Sequence, residues 1–306
     1  MRNVFGDTFY ELACQDPRLM MVVADISPAA AMNRFREQYP DHFINVGVSE
    51  QVMIGICAGL CLGGMRPFAY TIATFALYRT FEFWRDDLAY QALPVTIVGI
   101  GGGVNYSTLG GTHHAMEDVV IASAVPNMQV IAPCDPSEVK LATAWCAKEN
   151  QQGPVYLRLG RAGEPTLTAE ADPFVVGKLR YLRQGTRVGL LSYGIVLKMG
   201  LDAVLEAESV LGHAVTVANC HTLKPLDIQG LLAFLQDHDK VVVVEELVPQ
   251  GGLSGVVKSL AFDHRLHCDI QCLTLQDKFL HVYGSHQDLL AAHGIQKSTI
   301  KEALLT

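Results

Sequence analysis

Glu50 is the residue of this sequence best placed to do chemistry. It follows a glycine turn in Asn45-Val46-Gly47-Val48-Ser49-Glu50-Gln51, and apolar and small residues fill positions 52–60 after it. A carboxylate at the head of a buried helix is expensive to desolvate without a partner. A nitrogen heterocycle sharing a proton with it would be such a partner. The plain alternative is a cap, with Ser49 at the N-cap and Glu50 in a first turn whose dipole favours negative charge. Three other groups could join it. Ala73-Thr74-Phe75 is followed by Tyr78 and Phe81, a spacing of three that places the rings along one side of a helix, as ordinary core or as a flat platform for a ring ligand. Gly110-Gly111-Thr112-His113-His114 ends a glycine-rich loop, 101–111, where adjacent histidines suit proton transfer or ligand contact. No carboxylate or thiol stands at a spacing that would complete a metal site with them. Arg158 and Arg161, in Arg158-Leu159-Gly160-Arg161, suit a phosphate or carboxylate.

These groups need a frame. Short β-rich apolar runs at 19–24, 68–71, 95–99 and 128–131 alternate with helical patterns at 78–91 and 137–149, which predicts a parallel sheet wrapped by helices. Ligands gather at the carboxyl ends of such strands, where Asp25, residues 71–75 and residues 99–103 fall. The stretch 161–178 holds Gly163, Pro165, Pro173 and Gly177 with little periodicity and reads as a linker. A second α/β pattern follows, with strands at 187–192, 214–218 and 240–245 and helices at 197–211 and 252–261. The expected fold class is α/β with two domains, 1–165 and 183–306, each a mostly parallel sheet flanked by helices and joined by 166–182.

The 306 residues carry a net charge of -8 with no long basic run, which argues against nucleic acid as a partner. No stretch reaches the roughly 18 apolar residues of a membrane span, and the first residues lack the apolar core of a signal peptide. Eight cysteines without a CxxC pair read as buried reduced thiols, so the expected location is cytoplasmic.

Several motifs recur in a family order. Gly-Val-Ser-Glu-Gln, Ala-Thr-Phe, Gly-Gly-Thr-His-His, Val125-Pro126-Asn127-Met128, Ala132-Pro133-Cys134-Asp135 and Arg158-Leu159-Gly160-Arg161 lead on to Leu223-Lys224-Pro225-Leu226-Asp227, Val244-Glu245-Glu246 and Gly251-Gly252-Leu253. Over essentially its whole length the chain resembles transketolases, and more closely their C-terminal half standing as a separate subunit.

The resemblance implies a pyrimidine-binding domain, a transketolase C-terminal-like domain and thiamine diphosphate as cofactor. Glu50 matches the glutamate on the pyrimidine ring nitrogen, which controls the tautomer of the cofactor's amino group. Phe75, Tyr78 and Phe81 match its aromatic contacts, with Tyr78 at the stacking position, and Asp25 and Ile26 line the cofactor. His113 matches the histidine on the donor's first hydroxyl, and His114 stands beside it. Arg161 and Arg2 match phosphate-binding arginines. The implied reaction moves a two-carbon ketol unit from a ketose to an aldehyde. The Gly-Asp-Gly motif of the diphosphate-binding domain is absent from the sequence, so the resemblance implies a partner subunit that carries it and holds most of the Mg2+, in a two-plus-two heterotetramer. Three departures bear on substrate. A glycine loop around Gly101 stands where the resemblance implies a phosphate-binding histidine. Leu109 replaces an acidic residue that reads a sugar hydroxyl, and Ala29 or Ala30 stands where a phosphate-binding serine is expected. The rivals are the beta subunit of a 2-oxo acid dehydrogenase, with the same architecture and cofactor, and a noncatalytic homologue that only binds a partner. His281 and His286 read as surface or packing residues.

Overall fold

The computed structural model of the chain describes residues 1–26, 31–150 and 152–306; Ala29 and Ala30 lie outside them. In the first half, β1 (Leu19–Val23), β2 (Phe43–Asn45), β3 (Arg66–Ile72), β4 (Thr96–Ile100), β5 (Gln129–Ile131) and β6 (Val155–Leu159) pair in parallel. In the second, β7 (Arg180–Arg183), β8 (Arg187–Ser192), β9 (Thr216–Asn219), β10 (Thr222–Lys224), β11 (His238–Val244) and β12 (Asp269–Leu273) follow. The sheet orders are β10-β5-β6-β4-β3-β1-β2 and β12-β11-β8-β9-β7. Every residue of β1, β3, β4 and β6 is buried, because helices cover both faces of the sheet. The sequence accordingly shows unbroken apolar runs rather than alternation.

The first half is packed on both sides. On one side Phe5, Phe9, Phe35 and Phe68 interlock, Phe9 meeting Phe68 edge-on at 5.1 Å. On the other, Met53, Trp84 and Ile97 belong to a core that continues through Tyr193, Val241 and Val243 into the second half. The halves are also joined by backbone. β10 leaves the second half to pair antiparallel with β5 on the edge of the first sheet, a crossing that its three residues did not announce. Asp135 caps the helix Pro136–Lys148 through the Glu138 N–H at 2.8 Å, and its other oxygen takes the Leu167 and Thr168 N–H groups at 2.6 Å each. That carboxylate tacks the expected linker onto the first half, and Arg180–Leu182, counted with the linker, lie in β7. Cys134, Asp135 and Glu138 come close enough to suggest a metal cluster. Their oxygens are already engaged by backbone N–H groups, Arg180 and Asn219, and burial pushes the Cys134 thiol well above its usual range.

One helical expectation fails. The pattern at 78–91 predicts a single helix, but the chain forms a short helix Ala73–Leu77, a break, one turn at Phe81–Phe83 and a π-helix at Trp84–Ala89. Trp84 sits completely buried with its indole N–H on the Leu77 carbonyl at 3.0 Å. Placing that ring takes precedence over a continuous hydrogen-bond ladder.

The joint between the halves is built on charge. Asp118 is fully buried and accepts from Arg158 Nε at 2.7 Å and from the Tyr156 hydroxyl at 2.8 Å, while Arg158 Nη2 donates to the Glu246 carbonyl at 3.1 Å. Removing one member of a buried pair leaves an uncompensated charge, which costs about 3–5 kcal/mol. Arg158→Met should therefore lower stability by about that much in urea unfolding, and adding Asp118→Asn should restore a large part of it.

Candidate active site

Glu50 opens the helix Glu50–Leu62 at the carboxyl edge of the first sheet. Local chemistry puts it there. Asn45 ends β2, and its side-chain oxygen accepts the Gly47 N–H at 2.9 Å and the Asp25 N–H at 3.2 Å. One amide thus stitches together the loops after β1 and β2. Gly47 takes a φ of 67°, conformational space that glycine occupies at little cost, and Asp25 is held at 62°, which L residues seldom adopt. Asp25 is exposed and Ile26 half-buried at the rim.

Ser49 stands at the N-cap and Glu50 in the first turn, as the plain alternative has it, but the Glu50 carboxyl is not used at the helix end. Ser49 makes no side-chain cap either. Both Glu50 oxygens instead take hydrogen bonds from Arg79 Nη1, at 2.7 Å each. Glu50 is 2% exposed and the Arg79 side chain 37%, so a buried anion is neutralised by a cation that still reaches water. The Arg79 guanidinium lies 4.2 Å over the Phe75 ring. His113 meets the same ring edge-on at 5.1 Å, and its Nδ1 lies 2.9 Å from the Thr112 hydroxyl. Burial, and then the charge of Arg79, lower the pKa of His113 below the usual histidine value. Arg79 thus joins Glu50 to Phe75, and Phe75 joins both to His113, so a carboxylate, a guanidinium, an aromatic ring and an imidazole lie together.

The expected aromatic stripe is not a stripe. Phe75 packs toward one core and Tyr78 toward the other. The Tyr78 hydroxyl is tied to Glu117, 3.0 Å from a carboxylate oxygen and 3.3 Å from the backbone N–H. Phe81 lies beyond the helix break against Trp84, at 5.0 Å. Of the three rings, Phe75 alone shares the His113 side. Spacing of three aligns residues only along a continuous helix, and the helix stops at Leu77.

His114 is 3% exposed, and its Nε2 has no hydrogen-bond partner among the described residues. Arg161 reaches back over Tyr106, 4.9 Å from the ring centroid, and Tyr106 lies 6.0 Å from His113. Arg2 is half-buried with an unpartnered Nε, and its charge, like that of Arg161, bears on Tyr106. A cavity of about 1030 Å³ opens beside this point between the two halves, lined by Asn105, Ser107, Arg161, Lys198, His286 and Lys297 among others. His281 is exposed, but His286 does more than pack: its Nε2 is ion-paired at 2.7 Å to the buried Glu246. Sequence reasoning passed over Arg79, Tyr106 and Glu117. Arg79 had one legible signal, a cation only four residues after Phe75 in the sequence.

The chain matches two family models, the transketolase pyrimidine-binding domain at residues 1–164 and the transketolase C-terminal domain at 177–300. It is 29% identical to an apulose-4-phosphate transketolase subunit from Phocaeicola vulgatus, covering 99% of this chain and 96% of that one. It is 35% identical to a 6-deoxy-6-sulfo-D-fructose transketolase subunit from Clostridium sp. (strain MSTE9), over 83% of this chain and 78% of that one. Among solved structures it is similar to a split-gene transketolase described as an inactive beta4 tetramer, with a TM-score of 0.86 and 30% identity over 99% of this chain and 96% of that one. Both domain matches fall on this one chain and the similarity runs nearly end to end with free-standing subunits, so the protein belongs to the transketolase family as the subunit that joins a pyrimidine-binding domain to a C-terminal domain.

Proposed function

We propose that this subunit supplies the pyrimidine-binding half of a thiamine diphosphate site and transfers a two-carbon ketol unit from a ketose to an aldehyde once a partner subunit completes that site. The observation that carries the reading is the set of groups around Glu50: a buried carboxylate whose partner is a partly exposed arginine placed over the Phe75 ring. A nitrogen heterocycle could take the place of that cation, sharing a proton with Glu50 and packing on the ring. The cofactor, when bound, supplies the nucleophilic carbon of the reaction. Glu50 would hold a proton at the ring nitrogen, Phe75 would orient the ring, and Asp25 and Ile26 would close its rim, with Tyr78 and Phe81 supporting the wall behind. His113, kept neutral, would accept a proton from or donate a hydrogen bond to a sugar hydroxyl. Arg161 and Arg2 would anchor the anionic end of a substrate, and His114 would stand behind the loop.

The partner would carry the Gly-Asp-Gly motif and most of the Mg2+ contacts. The exposed face of the helix beginning at Glu50, with Val52 at 54% and Leu62 at 66% exposure, and the nearby Val48 at 69%, supports docking of another chain beside the site. The inactive beta4 state of the solved relative fits the same need, and a two-plus-two heterotetramer is the assembly we favour. All eight cysteines are free thiols, which supports a cytoplasmic setting. No helix of the described residues is long and apolar enough to cross a membrane.

Leu109 is 48% exposed on the substrate loop. A hydroxyl facing leucine loses its partner, at a cost of about 1–3 kcal/mol in discrimination. The usual pentose phosphates should therefore be poor substrates. The two relatives named for unusual sugars point the same way.

Reconstitution with a partner chain of roughly 250–300 residues tests the reading. Ketol transfer that depends on thiamine diphosphate supports it; acylation of a lipoyl domain from a 2-oxo acid would favour the dehydrogenase rival instead. With xylulose 5-phosphate and ribose 5-phosphate, kcat/KM should stay below about 10⁴ M⁻¹s⁻¹. Glu50→Gln should lower turnover by about 100-fold or more, and unchanged turnover would leave the noncatalytic reading standing. Because Arg79 must give up its pair when a ring takes Glu50, Arg79→Met should tighten cofactor binding roughly 5-fold, about the worth of a partly exposed ion pair. A lowered His113 pKa keeps the imidazole neutral further into acid, so the acid limb of kcat/KM should fall below pH 6.5 or so, and Arg79→Met should move it upward.

A further inference from the structure

We infer that Glu246, from the C-terminal domain, is a positioning residue that clamps the base of the loop carrying His113. The loop leaves the first sheet after β4 and returns at Ala115. Its two stems pair once, Gly103 with Ala115, through N–H to carbonyl bonds of 3.0 and 2.8 Å. Both stems are gripped by one short segment of the other domain. Glu246 Oε1 accepts the Val104 N–H at 2.7 Å, and the Val248 N–H donates to the Met116 carbonyl at 2.9 Å. The grip is close: a Cβ on Gly103 would stand 2.4 Å from the Glu246 carboxyl carbon, and one on Gly102 would stand 2.4 Å from Arg158 Nε. Gly103 also has a φ of 66°. Gly103 is therefore required by approach as well as by conformation, and Gly102 by approach.

The clamp is charged. Glu246 is 1% exposed and is met by His286 on one side and by Arg158, which Asp118 backs, on another. From the loop His114 faces it, and His293 bears on it from the helix-rich end of the C-terminal domain; Glu164 bears on His286. Glu246 Oε2 and His114 Nε2 are both buried without partners, so the joint keeps unused hydrogen-bonding capacity next to the residue that follows His113. Burial alone would lower the His286 pKa, but Glu246 outweighs it and the net shift is upward. The ion pair is then complete below the ordinary histidine range and is lost as pH rises through the raised value. Glu246 of the Val244-Glu245-Glu246 motif thereby acquires a task at the base of the His113 loop.

The test uses the full two-subunit enzyme and reads hydrogen exchange of the 103–116 amides beside kinetics. In Glu246→Gln the loop amides should exchange about 10-fold faster and kcat/KM should fall about 10-fold or more, since displaced catalytic groups lose rate steeply. The cofactor dissociation constant should stay within roughly two-fold, because Glu50 and Phe75 lie off the loop. Glu246→Asp, which keeps the charge but withdraws it by one methylene, should give a smaller change of the same kind. Wild-type kcat/KM and loop protection should both decline on the alkaline side, and His286→Asn should flatten that decline. Loop exchange that is the same in Glu246→Gln and wild type overturns the inference, as does activity lost only in step with cofactor affinity. The catalytic arm rests on the proposed ketol transfer; wild-type enzyme without that activity counts against the function, and the exchange arm still decides the clamp.

Discussion

Arg158 holds this molecule together at the point where its two halves and its candidate site meet. The guanidinium is buried, so both its charge and its N–H groups must be answered inside the protein. Asp118 answers the charge, Tyr156 shares the same carboxylate, and the Glu246 carbonyl takes a further N–H from across the domain joint. Gly102 has to lack a side chain for that guanidinium to fit. Satisfying that one cation out of water ties a strand of the first sheet to the Glu246 backbone of the C-terminal domain and brings the start of the glycine-rich loop against it.

The same rule runs through the other buried carboxylates. Glu138 is met by Arg180, Asn219 and a backbone N–H, Glu245 by Tyr193 and the first N–H groups of the helix Gly252–Asp263, and Glu246 by Val104 and His286. These acids are enclosed by partners that are themselves largely buried. Glu50 differs because its one side-chain partner among the described residues, Arg79, stays in touch with solvent. A structural carboxylate is locked by partners that cannot leave, whereas one meant to exchange partners needs a neighbour that can.

Much of the fold was legible because burial on both faces of a parallel sheet writes itself as continuous apolar runs. The strand at Arg187–Ser192 and the helix at Leu197–Leu211 fall where the pattern placed them. The helix expected over 78–91 did not survive, because seating Trp84 broke the ladder that periodicity assumes. β10 escaped notice because three residues carry no period of their own, and their pairing with β5 is a contact across the chain. His286 was unreadable for a similar reason: its significance lies in Glu246, forty residues away.

By itself the sequence determined which residues could carry charge, which runs had to be buried, and, through the order of its motifs, the family to which the chain belongs. These are local properties, set by side-chain chemistry and by spacing along one element. Only the tertiary structure decided that Glu50 is neutralised by Arg79, that Phe75 but not Tyr78 shares the His113 side, and that a carboxylate of the C-terminal domain accepts the Val104 N–H at the base of the loop carrying His113. Each of those depends on which groups meet after the chain has closed on itself, and the drive to satisfy charge away from water chooses among partners far apart in sequence.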